Sequence, residues 1–582
     1  MISGAGLKLG KRRKVLFSIS FALIVGLATR FYSIQIINYD SYLNKSAKNS
    51  VRKIIKTAPR GIIYDRNLIP IVDNRPTYSL SLVPYDVTEE FNYSLFEKIT
   101  NLPELAIKSK IESAKKRFSK FKPFSLKRHV DFKERSKIEE NKLEFPGVNF
   151  SEFPARTYPN EARLTHVLGY LRTVTDEALR KADSELNYQY GDVFGFSGLE
   201  RIYEKELRGN DGVEFRLVDI YGIDHGKYVT DREYDIEMGK PLILSIDSRL
   251  QIKAESLLLD KKGSVICMNP ENGEVLAFVS SPDYDLKSFI GPIPNKLWDE
   301  WNQNSEKPLM NRGIQGTYPP GSIIKLISAG YALDNNIIDE NWSVICDGAY
   351  SYGDRMFHCW NIAGHGHVDM MQSIKYSCNI FYYQLIQKIG FQNWSNIVSE
   401  FGFGKKTGID IPGEKRGIVP NKKYMNDKYT SRGWGKGSLL NFVIGQGDML
   451  VTPQQVIQIM NLISTSGNSF EPHFIKGVHS NPLNVSLKNS TWEFLKNATS
   501  IVVNDDDGTG KNAKSIFGKV AGKTGTAQNP HGEDHSWFSG YITLPNNKIM
   551  SLAVIIENGG KGSKAGASTA GELFDEFAKL NK

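Results

Sequence analysis

The hydropathy pattern of the chain changes character once, at its start. Lys8, Lys11, Arg12, Arg13 and Lys14 precede an uncharged run from Val15 to Thr29, and after Arg30 the run resumes as Phe31, Tyr32, Ser33, Ile34, Gln35 and Ile36. A bilayer-spanning helix needs about 20 mostly apolar residues, a length that Val15 to Ile36 supplies if Arg30 carries its charge to the interface. The basic cluster then stays in the cytoplasm, and everything after residue 37 faces outward. A cleaved signal peptide ending near Gly26-Leu27-Ala28 is the competing reading, and it exports the chain equally.

From about Asp40 to Asp235 short alternating runs mix with charged ones. Tyr78-Ser79-Leu80-Ser81-Leu82-Val83 has the period of a strand, while Glu104 to Lys120, rich in Lys, Glu, Ser and Ala, predicts an exposed helix. No acid–base pair or metal-spaced cluster stands out there, which fits a spacer or interaction module. Met238-Gly239-Lys240-Pro241 marks a boundary. Beyond it, Leu242 to Ile246 predicts a strand and Arg249 to Leu259 a helix. Two apolar runs between Gly263 and Val279 flank a Pro-Glu-Asn-Gly turn and predict a hairpin. A strand, a helix and a hairpin imply an α+β domain with a central antiparallel sheet.

Composition refines this picture only slightly. A chain of 582 residues exceeds what one core organises, so at least two globular units are expected. The 40% hydrophobic and 24% charged residues belong to folded protein. The formal charge of +9 is spread along the chain apart from the N-terminal cluster, which suits an anionic wall or membrane surface; no nucleic-acid partner is expected.

Three short motifs carry the chemistry. In Tyr318-Pro319-Pro320-Gly321-Ser322-Ile323-Ile324-Lys325, the prolines and glycine halt a loop and a helix begins at about Ser322. Positions i and i+3 share a helix face, so the Lys325 amine lies beside the Ser322 hydroxyl as its base. Ser-x-x-Lys alone is unspecific: Ser50 with Lys53, Ser113 with Lys116 and Ser119 with Lys122 match it as surface pairs. Next, Ser377-Cys378-Asn379 offers a hydroxyl to relay protons and an amide to hold a lysine or a peptide, although a helix N-cap has the same composition. Last, Lys523-Thr524-Gly525-Thr526 predicts a strand along which a substrate backbone is added, with the amides of Thr526 and Ser322 facing a developing oxyanion. Lys406-Thr407-Gly408 reads the same, but Pro412 and Gly413 end any sheet run quickly.

In this order the three motifs resemble those of the penicillin-binding proteins and serine β-lactamases. Arg60-Gly61-Ile62-Ile63-Tyr64-Asp65-Arg66-Asn67, Gly195-Phe196-Ser197-Gly198-Leu199-Glu200 and Ile444-Gly445-Gln446-Gly447 are similar to the class B transpeptidases. The residues flanking Ser322 and Lys523 are similar to the elongation-specific penicillin-binding protein 2 branch. The resemblance implies a cytoplasmic tail (1–14), a transmembrane anchor (15–37), a β-rich pedestal (38–238) and a transpeptidase domain (239–582). It makes Ser322 the nucleophile, Lys325 its base and Ser377 the proton relay, with Asn379 and Lys523 positioning. Thr524, Gly525 and Thr526 would hold the substrate, a D-alanyl-D-alanine stem peptide that β-lactams imitate. Expected partners are the membrane, a multi-spanning glycosyltransferase of the rod system and other elongation proteins. A membrane-bound β-lactam sensor or a β-lactamase would use the same motifs.

Of the four cysteines, Cys346, Cys359 and Cys378 are interleaved with His358, His365 and His367. Export favours a disulfide between Cys346 and Cys359. The alternative, suggested by the resemblance, is one structural zinc held by Cys346, Cys359, His365 and Cys378, with His358 or His367 as the other imidazole choice. Cys267, inside the predicted hairpin, reads as a core residue.

Overall fold

The computed structural model describes residues 6–39, 51–117, 123–175, 177, 188, 192–218, 224–291, 293–430 and 433–582. The chain divides into two compact units, one of residues 1–59 and 209–238, the other of residues 60–208 and 239–582.

In the first unit, helix α1 (Gly6–Tyr32) starts within the basic cluster, upstream of the apolar run, because Lys and Arg are good helix formers. It continues through a π-helical turn at Ser33–Ile37. The stretch Arg12–Ile37 is long and apolar enough to cross a membrane and is buried against nothing. The unit also holds a three-stranded antiparallel sheet, with Gly212–Val218 between Val51–Lys56 and Asp224–Lys227.

The second unit contains two five-stranded sheets and, among the described residues, four two-stranded ones. The predicted strand at Tyr78 is the end of a longer one, Pro70–Leu82, paired with Ile63–Tyr64, Phe124–Val130 and Val148–Thr157. Leu80, Leu82, Phe96, Leu126 and Phe145 form a small core beside it. The helix predicted over 104–120 runs from Glu104 to Arg117, and residues 118–120 lie outside the described residues. It is not exposed all round: Ile107 and Ile111, one turn apart, are buried in that core. Leu242–Ile243 pairs in parallel with Ile63–Tyr64, a shorter strand than the run to Ile246 predicts.

Between these elements lies a buried ionic cluster. The Arg60 guanidinium donates to Glu200 Oε2 at 2.7 Å and to Glu204 Oε2 at 2.6 Å, and Arg156 Nε donates to Glu200 Oε1 at 2.8 Å. Arg156 also reaches the Gly61 carbonyl at 2.8 Å. An ideal Cβ on Gly61 would collide with the Lys240 carbonyl, so this close backbone approach requires glycine there. Arg60-Gly61 and Glu200, far apart in sequence, are thus parts of one contact.

The catalytic-motif half is built on a five-stranded antiparallel sheet. Its strands are β1 (Gly263–Met268), β2 (Val275–Ser281), β3 (Lys519–Ala527), β4 (His535–Thr543) and β5 (Ile549–Ile556), in the order β2-β1-β5-β4-β3. The β1–β2 hairpin falls where the turn signal predicts it. Alternation sends Val265, Cys267, Phe538, Leu552 and Val554 to one face, where α2 (Ser248–Leu257) and α6 (Ala565–Leu580) cover them. Ile266, Met268, Trp537, Ala553 and Ile555 face the other core, with α3 (Lys325–Asp334), α4 (Asn379–Ile389) and α5 (Pro453–Ser464). Cys267 is fully buried in this sheet. The β3 strand is an edge strand, and on that edge the site is assembled.

Burial raises the Glu200 carboxyl, but the charges of Arg156 and Arg60 outweigh it and leave the group below the ordinary carboxylate value. Its stabilisation is therefore present above the unfolded-state pKa and is lost as pH falls through the lowered native value. Replacing Glu200 by Ala leaves two buried guanidiniums short of a partner and is expected to cost about 3–5 kcal/mol, read as a lowered urea midpoint at neutral pH; an unchanged midpoint would contradict this account of the cluster.

Candidate active site

The loop Tyr318–Gly321 ends in a 3-10 turn, Gly321–Ile324, before α3 takes over at Lys325. A helix begins where the prolines and glycine predict, but its first turn is tighter than an α-turn, and in a 3-10 turn residues i and i+3 eclipse one another. Ser322 and Lys325 therefore share a face. Ser322 is partly exposed and Lys325 fully buried, so the alcohol faces the groove and the amine lies beneath it.

The Ser322 turn is fastened on several sides. Gly321 has φ +57°, and an ideal Cβ there would lie 2.7 Å from the Thr526 carbonyl oxygen and 2.9 Å from the Thr526 nitrogen. Only glycine allows the turn to lie this close to β3. The Gly321 amide donates to the Gly445 carbonyl at 3.0 Å, and Trp537 Nε1 donates to the Pro319 carbonyl at 3.0 Å. The Tyr318 hydroxyl donates to Glu557 at 2.7 Å, which also accepts from Arg312 Nε at 2.8 Å.

Lys325 joins the second motif to the first. Its Nζ donates to the Ser377 carbonyl at 2.8 Å and to Asn379 Oδ1 at 2.7 Å, with Ser377 Oγ at 3.4 Å. Ser377 has φ +56°, a left-handed conformation that turns both its carbonyl and its hydroxyl toward the amine. The helix-cap alternative falls away: Cys378 holds the cap position of α4 and makes no side-chain cap bond. Burial lowers the Lys325 pKa from 10.5 to about 8, against the opposing pull of nearby thiols.

The third motif lies on β3. Lys523 is fully buried, and its Nζ donates to the Thr524 carbonyl at 3.3 Å. Burial and then the Lys325 charge push its pKa well below 10.5. Burial alone depresses Lys325, whereas Lys523 feels both burial and the Lys325 charge. Thr524 Oγ1 donates to Thr509 Oγ1 at 3.1 Å, and Thr526 Oγ1 accepts from the Gly562 amide at 3.3 Å. Gly525 packs its bare Cα against the Pro320 carbonyl and the Trp537 side chain. The competing Lys406-Thr407-Gly408 lies in a loop, where Glu414 accepts from the Thr407 amide and hydroxyl, each at 2.6 Å.

Two contributions escape motif reading. Gln446 clamps the end of β3 with both ends of its amide: Nε2 donates to the Thr526 carbonyl at 2.8 Å, and Oε1 accepts from the Gln528 amide at 3.3 Å. Thr509 joins the Thr524 hydroxyl to the Lys375 carbonyl, 3.3 Å away, two residues before Ser377. The Gly445-Gln446-Gly447 sequence is a signal for a tight backbone approach, without indicating what is approached.

Cys346, Cys359, His365 and Cys378 come together beside Asn379, with their ligand atoms all within 4.8 Å of one another. His365 Nδ1 lies 3.5 Å from Cys346 Sγ and 3.6 Å from Cys359 Sγ. All four cysteines are free thiols, so the Cys346–Cys359 disulfide is not formed here. His367 instead pairs with Ser343 at 2.8 Å, and His358 contributes its backbone carbonyl to Asn379 and Tyr383.

A buried amine beneath a half-exposed serine, beside the edge strand of an antiparallel sheet, defines the class as an acyl-serine enzyme. Residues 263–579 match the penicillin binding protein transpeptidase domain and residues 55–244 the penicillin-binding protein dimerisation domain, and the chain belongs to the penicillin-binding protein family, in its class B, PBP2-like branch. It is 31% identical to the peptidoglycan D,D-transpeptidase MrdA of Acinetobacter baumannii, over 98% of this chain and 88% of that protein. Identity to MrdA of Haemophilus influenzae is also 31%, over 97% of this chain and 91% of that one. PBP2 in its solved complex with MreC from Helicobacter pylori superposes with a TM-score of 0.76 at 27% identity, over 91% of this chain and 98% of that one.

Gln446→Ala removes two hydrogen bonds that fix β3 against the Ser322 turn. At about 1–3 kcal/mol for an unsatisfied partner, acylation by penicillin should slow by roughly tenfold or more while the chain stays folded. Stopped-flow acylation with a parallel thermal melt measures both, and an unchanged acylation rate would refute the clamp.

Proposed function

We propose that this chain is a peptidoglycan D,D-transpeptidase that cross-links stem peptides during wall elongation. The reading rests on one observation above the rest: Lys325, the first residue of the helix that follows the Ser322 turn, is buried and bonded to both Ser377 and Asn379. A neutral lysine amine has two N–H bonds and one lone pair. Donation to the Ser377 carbonyl and to Asn379 Oδ1 uses both donors and leaves the lone pair to accept the Ser322 proton.

The sequence of steps follows. As Ser322 Oγ attacks the carbonyl of the penultimate D-alanine, its proton passes to Lys325 Nζ, and the oxyanion is met by the Ser322 and Thr526 amides. The C–N bond breaks, the proton moves through Ser377 Oγ to the leaving amine, and D-alanine departs. Thr524 and Thr526 hold its carboxylate, with Lys523 and Asn379 positioning. An amine of a neighbouring stem then attacks the Ser322 ester, its proton returns by the same groups, and Ser322 is regenerated. Relatives matched along nearly the whole chain are named peptidoglycan D,D-transpeptidases, which favours this reading over the β-lactamase or sensor alternatives.

In this reading residues 15–37 anchor the protein in the cytoplasmic membrane, with residues 1–14 inside and the catalytic half outside, and residues 38–238 serve as pedestal. Rod-system proteins, including a multi-spanning glycosyltransferase, are the partners; a PBP2 relative is solved with MreC. Ser322→Ala is expected to abolish labelling by a fluorescent penicillin, with mass spectrometry of the unaltered chain finding the adduct on Ser322. Labelling that persists in the variant would overturn the assignment.

The Cys346, Cys359, His365 and Cys378 set fits a structural zinc. Ligand atoms at about 2.0–2.3 Å from a tetrahedral zinc lie roughly 3.3–3.8 Å apart, and His365 Nδ1 lies at 3.5 and 3.6 Å from the Cys346 and Cys359 sulfurs. Bound there, zinc would supply a cross-link and no chemistry to the acyl transfer. Metal analysis of protein purified without chelator should find about one zinc per chain, lost in Cys378→Ser. Zinc-free protein with blocked thiols at Cys346 and Cys359 would support the disulfide instead.

A further inference from the structure

Ser377 lies in the left-handed region at φ +56°, a conformation that a serine keeps only where its surroundings hold it there. The residues after it are held: Lys325 bonds the Ser377 carbonyl and Asn379, and the Cys378 amide donates to the Ser373 carbonyl at 3.0 Å. The residues before it are held by a segment that belongs to none of the three motifs, Asn504-Asp505-Asp506-Asp507-Gly508-Thr509. Lys375 Nζ donates to Asp505 Oδ2 at 2.8 Å and to Asp507 Oδ1 at 2.6 Å, and the Tyr376 hydroxyl donates to Asp507 Oδ2 at 2.9 Å. One carboxylate thus takes the side chains of two consecutive residues, one on each oxygen, and so fixes the backbone as it enters Ser377.

The same segment is rooted on β3 at both ends. Asn504 Nδ2 donates to the Val520 carbonyl at 2.9 Å. Thr509 Oγ1 accepts from Thr524 Oγ1 at 3.1 Å and donates to the Lys375 carbonyl at 3.3 Å. Residues 504–509 therefore reach from the edge strand to the Ser377 turn. The Asp505 and Asp507 side chains are 42% and 58% exposed, and ion pairs so open to solvent add little to stability, so their effect is on placement.

Resting on the reading of Ser322, Lys325 and Ser377 given above, we propose that Asp505 and Asp507 are positioning residues for the acyl transfer. Through Lys375 and Tyr376 they hold the Ser377 hydroxyl where it passes a proton to the leaving nitrogen. Of the Lys325 contacts in this turn, the one to Ser377 Oγ is the longest, 3.4 Å, against 2.8 Å to the carbonyl and 2.7 Å to Asn379. Lys325 keeps its Asn379 acceptor when the turn loosens, so taking the proton from Ser322 suffers less than delivering one through Ser377 Oγ. In the step concerned the C–N bond of the tetrahedral intermediate breaks and its electron pair returns to nitrogen. The nitrogen takes the Ser377 proton, and Ser377 recovers one from the Lys325 ammonium. An amine leaves only with that proton, whereas a thiolate leaves without one.

The test uses the full chain in detergent and two acylating probes: benzylpenicillin, whose leaving group is a ring nitrogen, and an acyl-D-alanyl thioester of thioglycolate, whose leaving group is a thiolate. Asp507→Ala should slow the penicillin acylation rate constant about tenfold with the apparent dissociation constant held within about twofold, and slow the thioester by no more than about twofold. Asp505→Ala, which leaves Lys375 one carboxylate, should give a smaller change of the same kind, and Asp507→Glu should recover most of the loss. The fraction of protein labelled at completion should not change, and the melting temperature should stay within about 2 °C. Equal slowing of the two probes, a loss confined to the labelled fraction, or an unaltered penicillin rate in Asp507→Ala would overturn the positioning role and leave the acyl-serine reading intact. Failure of penicillin to acylate Ser322 in the unaltered chain would instead remove the acyl-serine reading, and the positioning role with it.

Discussion

One buried amine organises this structure. Lys325 comes from the helix after the Ser322 turn, its acceptors come from a separate turn at Ser377–Asn379, and the charge that it repels, Lys523, comes from the edge strand of the sheet. Two buried amines so placed cannot both hold a proton without large cost: burial lowers both, and the charge of Lys325 lowers Lys523 further. The acceptors around Lys325 decide where the polar contacts go. A carbonyl at 2.8 Å and an amide oxygen at 2.7 Å orient it, whereas Lys523 has one carbonyl at 3.3 Å. The difference in hydrogen bonding, more than the sequence spacing, assigns the two lysines different duties.

Everything around this amine reads as a means of keeping three backbone segments close. Gly321 lets the nucleophile turn approach Thr526, Gly525 lets β3 approach Pro320, and Gln446 holds β3 from its far end. Because β3 is an edge strand, its outward hydrogen-bonding groups remain open to a substrate backbone. The same openness would invite unwanted pairing on a free strand. Here the Ser322 turn, Gln446 and the Gly562 loop all approach the edge at Thr526.

The local chemistry was legible in the sequence where it depended on short spacing. The i, i+3 relation of Ser322 and Lys325 and the hairpin at Gly263–Ser281 follow from residues near one another, whereas the grouping of Cys346, Cys359, His365 and Cys378 was one of the alternatives that the resemblance left beside a disulfide. The contacts that needed tertiary information were not legible. Glu200 and Arg60 are separated by 140 positions, and their partnership is visible only once folded. Gln446 sits among residues that signal a turn and say nothing of β3. The sheet order was equally hidden, because β1 and β2 join three strands that follow more than two hundred residues later, and alternation reports which face is buried but not which neighbour pairs.

The cysteine cluster and the groove are linked through single atoms. The Asn379 amide donates to Cys359 Sγ at 3.4 Å, and the Asn379 side chain accepts from Lys325, so one residue touches both the sulfur set and the catalytic amine. Cys378 lies between Ser377 and Asn379, and Trp360 is the residue after Cys359. A metal bound by this set would constrain, in one stroke, the turn that presents acceptors to Lys325 and the segment that follows Cys359. Without it, both segments would be held by a few polar contacts near the surface, and the turn would lose definition where angstrom-scale placement governs proton transfer. On the zinc reading proposed above, the cluster's value is mechanical: it would join the turn that presents acceptors to Lys325 and the segment that follows Cys359.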